Sequence, residues 1–121
     1  MKILALDSTA NTSTVALLEN ETLLGIYTAN TKNTHSETLL PMVKHLLTTL
    51  NVSVEQIDAY AVSNGPGSFT GVRIGVATVK GLAFGKDKKC IEVSTIEALA
   101  KNLEGFKGII CPIMNARRGQ V

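Results

Sequence analysis

The chain opens with short apolar runs separated by polar turns. Lys2–Leu6 is an apolar run closed by Asp7, the pattern of a buried strand. The small polar stretch Thr9–Thr12 suits a tight turn. Thr14–Leu18 is again apolar and β-compatible, Asn20-Glu21 makes a second turn, and Thr22–Thr28 follows with Leu23, Leu24, Ile26 and Tyr27. Strands joined by such short turns predict an antiparallel meander.

Beyond the polar stretch Ala29–Thr34 the period changes. Leu39, Leu40, Met42, Val43, Leu46, Leu47 and Leu50 recur at helical spacing and predict a helix over about Ser36–Leu50, with Pro41 in its first turns. Ser53-Val54-Glu55-Gln56 has the residue types of a capping box and predicts one short helical turn. Ala59–Ser63 reads as a fourth strand, running into Gly65-Pro66-Gly67. A second main helix, about Phe69–Phe84 and capped by Ser68, is apolar nearly all round; only Arg73 and Lys80 put charge on it. Cys90–Val93 is a fifth strand, and Ser94-Thr95-Ile96-Glu97 caps a third helix that ends near Leu103, with Gly105 beyond it. Ile109–Met114 is a sixth strand. The order β-β-β-α-β-α-β-α-β predicts an α/β fold, a mixed sheet covered by helices with right-handed crossovers.

Composition narrows the function. With 121 residues, 45% hydrophobic and 18% charged, the chain is sized and composed as one folded domain. A net charge of +2 is too mild to build a strong field for nucleic acid or an acidic membrane. Any RNA would therefore be held mainly through a partner. Cys90 and Cys111 stand far apart in apolar surroundings, with no C-x-x-C pair, and are expected to be reduced, buried thiols. No segment reaches the ~20 apolar residues of a membrane span. The chain starts directly on a strand, so no signal peptide is expected, and the sequons at Asn11, Asn20 and Asn51 would lack the compartment for glycosylation. The expected location is the cytoplasm.

The glycines are the most informative chemistry. Gly65-x-Gly67 lies between a strand and a helix, the geometry of an anion site at a helix N-terminus. The same glycines could instead serve a turn with positive φ and close packing. The motif is neither a dinucleotide fingerprint, since the next glycine is Gly71, nor a Walker loop. Within the second helix, Gly71, Gly75, Thr78 and Gly85 share one face. Each interior glycine costs up to ~1 kcal/mol relative to alanine, so the face implies close backbone contact, with the chain's own sheet or with another subunit. No metal site is predicted: His35 and His45 make no paired motif, His35 suits a helix start, and His45 lies opposite the leucine stripe. Ser68 and Thr70 have no neighbouring base, and Arg73 and Lys80 read as a solvated stripe.

Three segments carry a resemblance. Ile3-Leu4-Ala5-Leu6-Asp7-Ser8-Thr9 with Ser13-Thr14-Val15-Ala16-Leu17 is similar to the phosphate hairpin that opens the actin, sugar-kinase and Hsp70 fold. His35-Ser36-Glu37 with Leu39-Leu40-Pro41, and Gly65-Pro66-Gly67-Ser68-Phe69-Thr70-Gly71-Val72-Arg73-Ile74-Gly75, resemble the first helix and the glycine signature of the TsaB (YeaZ) family of bacterial tRNA threonylcarbamoyladenosine biosynthesis proteins. Asn115-Ala116-Arg117-Arg118-Gly119-Gln120-Val121 resembles a later D-A-R-R-x-x-V-Y segment of that family, with Asn115 where Asp is usual.

The resemblance implies an actin-like (ribonuclease H-like) lobe over residues 1–105, a mixed five-stranded sheet, and the first strand of a truncated second lobe over 106–121. It implies a non-catalytic subunit that binds the catalytic paralogue TsaD, with a TsaE-type ATPase as a further partner and tRNA met only through the complex. A homodimer is the other assembly it allows. In such a lobe Asp7, Ser8, Thr9, Gly65, Gly67 and Ser68 would be the phosphate or nucleotide contacts, though Asp7 could instead cap its own turn. No cofactor is implied for the chain alone; weak ATP or ADP binding with magnesium would belong to the full-length protein. The subunit contact would use Leu39, Met42, Val43 and Leu46 of the first main helix with Gly71, Val72, Gly75, Val76 and Val79 of the second. An actin-like ATPase or phosphotransferase is the alternative function, and a glycoprotease-type peptidase, lacking a metal pair or activated nucleophile, a weaker one.

Overall fold

A computed structural model describes residues 1–30, 34–116 and 118–121. Part of the polar stretch before the first helix (31–33) and Arg117 of the last motif lie outside the described residues. The strands are β1 (Lys2–Asp7), β2 (Ser13–Glu19), β3 (Thr22–Ala29), β4 (Ala59–Ser63) and β5 (Lys89–Val93). The helices are α1 (His35–Thr49), α2 (Phe69–Ala83) and α3 (Thr95–Lys101), and Val54–Gln56 forms a single 3-10 turn.

The strands make one sheet in the order β3-β2-β1-β4-β5. β1 pairs antiparallel with β2 and parallel with β4, so the first crossover through α1 changes the sheet from meander to parallel. Alternation along each strand decides the faces. Leu4 and Leu6, Val15 and Leu17, and Tyr60 and Val62 point to one side and are buried there against Leu39, Met42, Val43, Leu46 and Leu47 of α1 and Val79 of α2. α1 packs on β2 and β3, and α2 packs on β4, β1 and β5. Tyr60 is fully buried in this core, and its hydroxyl has no hydrogen-bond partner among the described residues.

Helix starts follow the residues expected to cap them. Ser68 Oγ accepts from Gly71 N (3.2 Å), and Ser94 Oγ accepts from Glu97 N (3.4 Å). At α1, Glu37 reaches back to accept from Thr34 N (3.3 Å). Pro41 sits in the second turn of α1.

Two expectations fail. Ile109–Met114 forms no strand; Ile109 is 95% and Ile113 66% exposed, while Ile110, Pro112 and Met114 are half-buried. The alternation of a strand is present, but no neighbouring strand accepts its amides, and an unpaired run is not a ladder. Cys90 and Cys111 are exposed, not buried. Cys90 lies on β5, the edge strand of the sheet, and Cys111 lies in the unpaired segment.

Candidate functional site

The site lies at the carboxyl ends of β1 and β4, where the sheet changes from antiparallel to parallel pairing, the place at which open α/β sheets bind ligands. Asp7 ends β1 and is spent first on its own turn: its Oδ1 accepts from Thr9 N and from Thr9 Oγ1, both at 2.9 Å. That local closure is what a short acceptor side chain does before a tight turn. Ser8 and Thr9 are then carried onto the start of α2. Ser8 is 1% and Thr9 3% exposed. Ser8 Oγ donates to Gly71 O (2.8 Å), and Ser68 N donates to Thr9 O (2.7 Å).

The glycines make this docking possible. A Cβ at Gly67 would come within 2.6 Å of both Cβ and O of Thr9, one at Gly71 would fall on Ser8 O, and one at Gly75 would reach Ser8 Oγ at 2.7 Å. Gly67, Gly71 and Gly75, four residues apart, form one groove that the turn occupies. The close backbone approach implied by the helix glycines is therefore a contact with the chain's own hairpin. Gly65 has a different task, adopting φ +110° in the loop that leaves β4.

Beside this junction an open cleft of ≈ 390 Å³ is lined by Asn11, Asn30, Thr34, His35, Ser68, Thr70, Gly71 and Ile74. The first residues of both α1 and α2 border it, where the Gly71 amide is taken by Ser68 Oγ and the Glu37 amide by Thr34 O. His35 fastens α1 to the hairpin: its Nε2 meets Ala10 O at 2.8 Å and its Nδ1 meets Ser13 Oγ at 2.6 Å. A carbonyl can only accept, so Nε2 carries the proton and, in the neutral ring, the Ser13 hydroxyl donates to Nδ1.

Of the predicted phosphate contacts, Ser68 alone lines the cleft; Asp7, Ser8, Thr9, Gly65 and Gly67 are not among its lining residues. Asn11, Asn30, Thr34, His35 and Ile74 were not singled out from sequence as cleft residues. The Thr34-x-x-Glu37 capping pattern was the available signal, since it fixes where α1 begins and hence which residues border the cleft. Among the described residues no group of His, Cys, Asp and Glu is arranged to hold a metal ion. Two carboxylates held below their usual range, Glu19 and Asp58, lie at the other end of the sheet. Hydrogen bonding from the Lys2 ammonium (2.6 Å) lowers the Glu19 pKa, and the backbone N–H of Lys2 (2.6 Å) lowers that of Asp58.

The residues expected to meet a partner are mostly turned inward. Leu39, Met42, Val43, Leu46 and Val79 are core side chains, and Gly71 and Gly75 face Ser8. Val72 and Val76 are half-buried. The outer side of the two helices is apolar at other positions: Leu40 is 51% and Phe69 70% exposed, and the guanidinium of Arg73 lies 3.7 Å over the Phe69 ring. His45 is exposed and packs against Tyr27, with ring centroids 5.2 Å apart.

Sheet order, crossover and site position together define a ribonuclease H-like α/β lobe. T. thermophilus RuvC bound to a Holliday junction substrate has this fold, with a TM-score of 0.56 at 14% identity over 87% of this chain and 71% of RuvC. YeaZ from Pseudomonas aeruginosa superposes with a TM-score of 0.78 at 38% identity, over 84% of this chain and 47% of that one. The family model described as TsaD, tRNA N6-adenosine threonylcarbamoyltransferase, matches residues 10–121, and the chain belongs to that family. Within it, the Bacillus subtilis protein named tRNA threonylcarbamoyladenosine biosynthesis protein TsaB is 42% identical over the whole of this chain. The chain spans about half of that relative's length, 53%. Among the described residues, no helix is long and apolar enough to cross a membrane.

Proposed function

We propose that this chain is the first lobe of a non-catalytic subunit in tRNA threonylcarbamoyladenosine biosynthesis, whose task is to bind and stabilise a TsaD-type catalytic paralogue. Residues 1–105 would be that lobe and 106–121 the opening of a second. One observation carries the reading: Ser8 and Thr9 are buried against Gly67, Gly71 and Gly75. A phosphotransferase of actin-like fold needs its hairpin and glycine loop open to the nucleotide. Here the Ser8 hydroxyl is spent on Gly71, the Thr9 carbonyl on Ser68, and the Asp7 carboxylate on Thr9.

Partner binding is supported by the exposed apolar side chains on the outer side of α1 and α2, Leu40 and Phe69 above all. A TsaE-type ATPase would join the same assembly, and tRNA would be met through the complex, in keeping with a net charge of only +2. The test is a pull-down with the natural-length protein as bait in a lysate of its own bacterium. Stoichiometric recovery of the TsaD-type paralogue is the expected result; its absence from the eluate refutes the assignment.

A second reading, an ATP-dependent enzyme, draws on the cleft bordered by two helix starts. Calorimetry with magnesium–ATP separates the two. A dissociation constant of about 1 μM, roughly −8 kcal/mol, would favour the enzyme, whereas weak or absent heat favours the binding subunit.

A further inference from the structure

Asn64-Gly65 is the one place in the chain where an asparagine precedes a glycine; the other asparagines precede Thr, Glu, Val, Leu or Ala. The pair matters because the backbone nitrogen of the next residue can attack an asparagine side chain. Glycine has no Cβ to shield that nitrogen or to restrict the backbone as the ring closes. Both reacting groups are accessible here. Asn64 is exposed, one residue past the last ladder pair of β4, Ser63 with Val93. Gly65 has φ +110°, and among the described residues no acceptor takes its N–H, so the nitrogen gives up no hydrogen bond in order to react.

The bonds on either side of the pair show what its conversion would disturb. Asn64 N donates to Val93 O (3.0 Å) and Thr95 N donates to Gly65 O (2.9 Å), so both residues are fastened to the short segment that joins β5 to α3. The Asn64 side-chain amide donates to Glu92 Oε2 (3.1 Å). Just beyond, Gly67 is pressed against Thr9, and Ser68 N donates to Thr9 O. The Asn64–Gly65 link therefore connects the end of β4 to the groove in which the hairpin sits.

We propose that Asn64-Gly65 is a self-modifying site, whose conversion to aspartyl and isoaspartyl residues unfastens the glycine loop. Gly65 N attacks Asn64 Cγ; the new N–C bond closes a succinimide ring as the Cγ–Nδ2 bond breaks, and ammonia leaves with the proton from Gly65 N. Water then opens the ring. Attack at Cγ leaves aspartate with the main chain unchanged. Attack at the main-chain carbonyl carbon of residue 64 leaves isoaspartate, with the Cβ methylene now inside the main chain. That longer link cannot hold the bonds to Val93 and Thr95 together in their present geometry. The aspartyl product keeps the path of the chain but sets a carboxylate against Glu92 where a donor stood. The chemistry needs no partner, so it is independent of the subunit role placed above.

The test ages the purified, folded chain in warm, mildly alkaline buffer and follows it by peptide mass spectrometry, with a protein isoaspartyl methyltransferase as the probe for isoaspartate. The peptide holding Asn64 should gain the mass of an amide-to-acid exchange about tenfold faster, or more, than those holding the exposed Asn11, Asn51 and Asn102. The same peptide should become the methyl acceptor. The urea midpoint of the aged chain should fall. An Asn64→Gln chain aged alongside should keep its own midpoint, since the longer side chain closes the ring poorly. A freshly made Asn64→Asp chain should lose less than the aged parent, which separates the added charge from the added methylene. The proposal is overturned if Asn64 converts no faster than the other asparagines, or if the isoaspartate-bearing chain unfolds at the midpoint of the fresh parent. It is also overturned if the Asn64→Gln chain loses as much on ageing, since the damage would then lie elsewhere.

Discussion

The two faces of one sheet are built from the same strands and end differently. On one, Leu4, Leu6, Val15, Leu17, Tyr60 and Val62 meet α1 and α2 and are almost wholly buried. On the other, Ala5, Ala16 and Ala61 lie between the exposed Ile26 and Ile91, with no helix packed over them as α1 and α2 are on the first. The difference teaches that apolar character alone does not report burial in this chain. The first face has its cover encoded nearby, in the leucine stripe of α1; the second has the composition of a covered face, and α3 does not pack over it as α1 and α2 do over the first.

The sharpest way to break the contrast is to place one charge on each side. Val43→Glu, 3% exposed in the parent, buries an unpaired carboxylate and should cost about 4 kcal/mol or more, enough to abolish cooperative urea unfolding. Ala16→Glu should change the unfolding free energy of this chain by less than about 1 kcal/mol, because its carboxylate can reach water. Equal losses would mean that the second face is covered after all.

A smaller effect is expected where the hairpin meets α2. Gly71→Ala gains up to ~1 kcal/mol of helix propensity, but its methyl falls on the Ser8 carbonyl, a backbone atom that cannot swing away. Overpacking of this kind typically costs about 1–3 kcal/mol, so the net change should be destabilising by about 1 kcal/mol in urea. A stabilised Gly71→Ala chain would show that the turn is not seated in the glycine groove.

Tyr60→Phe should be neutral or stabilising by about 1 kcal/mol, read from the thermal midpoint. It deletes a buried hydroxyl that has no partner among the described residues and leaves the ring in place. The smallest effect is in the pH dependence of stability. The pKa values of Glu19 and Asp58 are lowered in the fold by hydrogen bonds from Lys2, so the stability they contribute is present above their unfolded values. It is lost as pH falls through the lowered folded values. Because Asp58 is exposed and Glu19 only partly buried, Glu19→Gln and Asp58→Asn should lower stability slightly at neutral pH and leave it unchanged at low pH, which flattens the acid limb of a stability–pH curve.

Much of the architecture was legible in the sequence because period and caps agreed. Ala59–Ser63 was bounded by turn signals on both sides, and Ser68 and Ser94 cap α2 and α3 as their positions implied. Ile109–Met114 has the apolar composition of a strand, but a strand also needs a partner, which a single sequence window does not contain. Within the site, the glycine spacing revealed that something approaches α2 closely, yet not what. Only the register of the hairpin against Gly67, Gly71 and Gly75 identifies it as Ser8 and Thr9. The clamp of His35 on Ala10 and Ser13 joins residues 25 and 22 positions apart, a distance at which no local pattern speaks. Val43 and its neighbours show the opposite difficulty: a leucine stripe marks the buried side of α1 and says nothing about which outer residues another subunit would meet.

The central claim is that this lobe binds a catalytic partner instead of performing phosphoryl transfer. The most direct measurement is a calorimetric titration of the purified TsaD-type paralogue into the natural-length protein, with magnesium–ATP titrated into the same protein as the reference. The account predicts saturable one-to-one binding of the paralogue and weak or no heat from magnesium–ATP alone. Tight magnesium–ATP binding with turnover, and no heat from the paralogue, would contradict it.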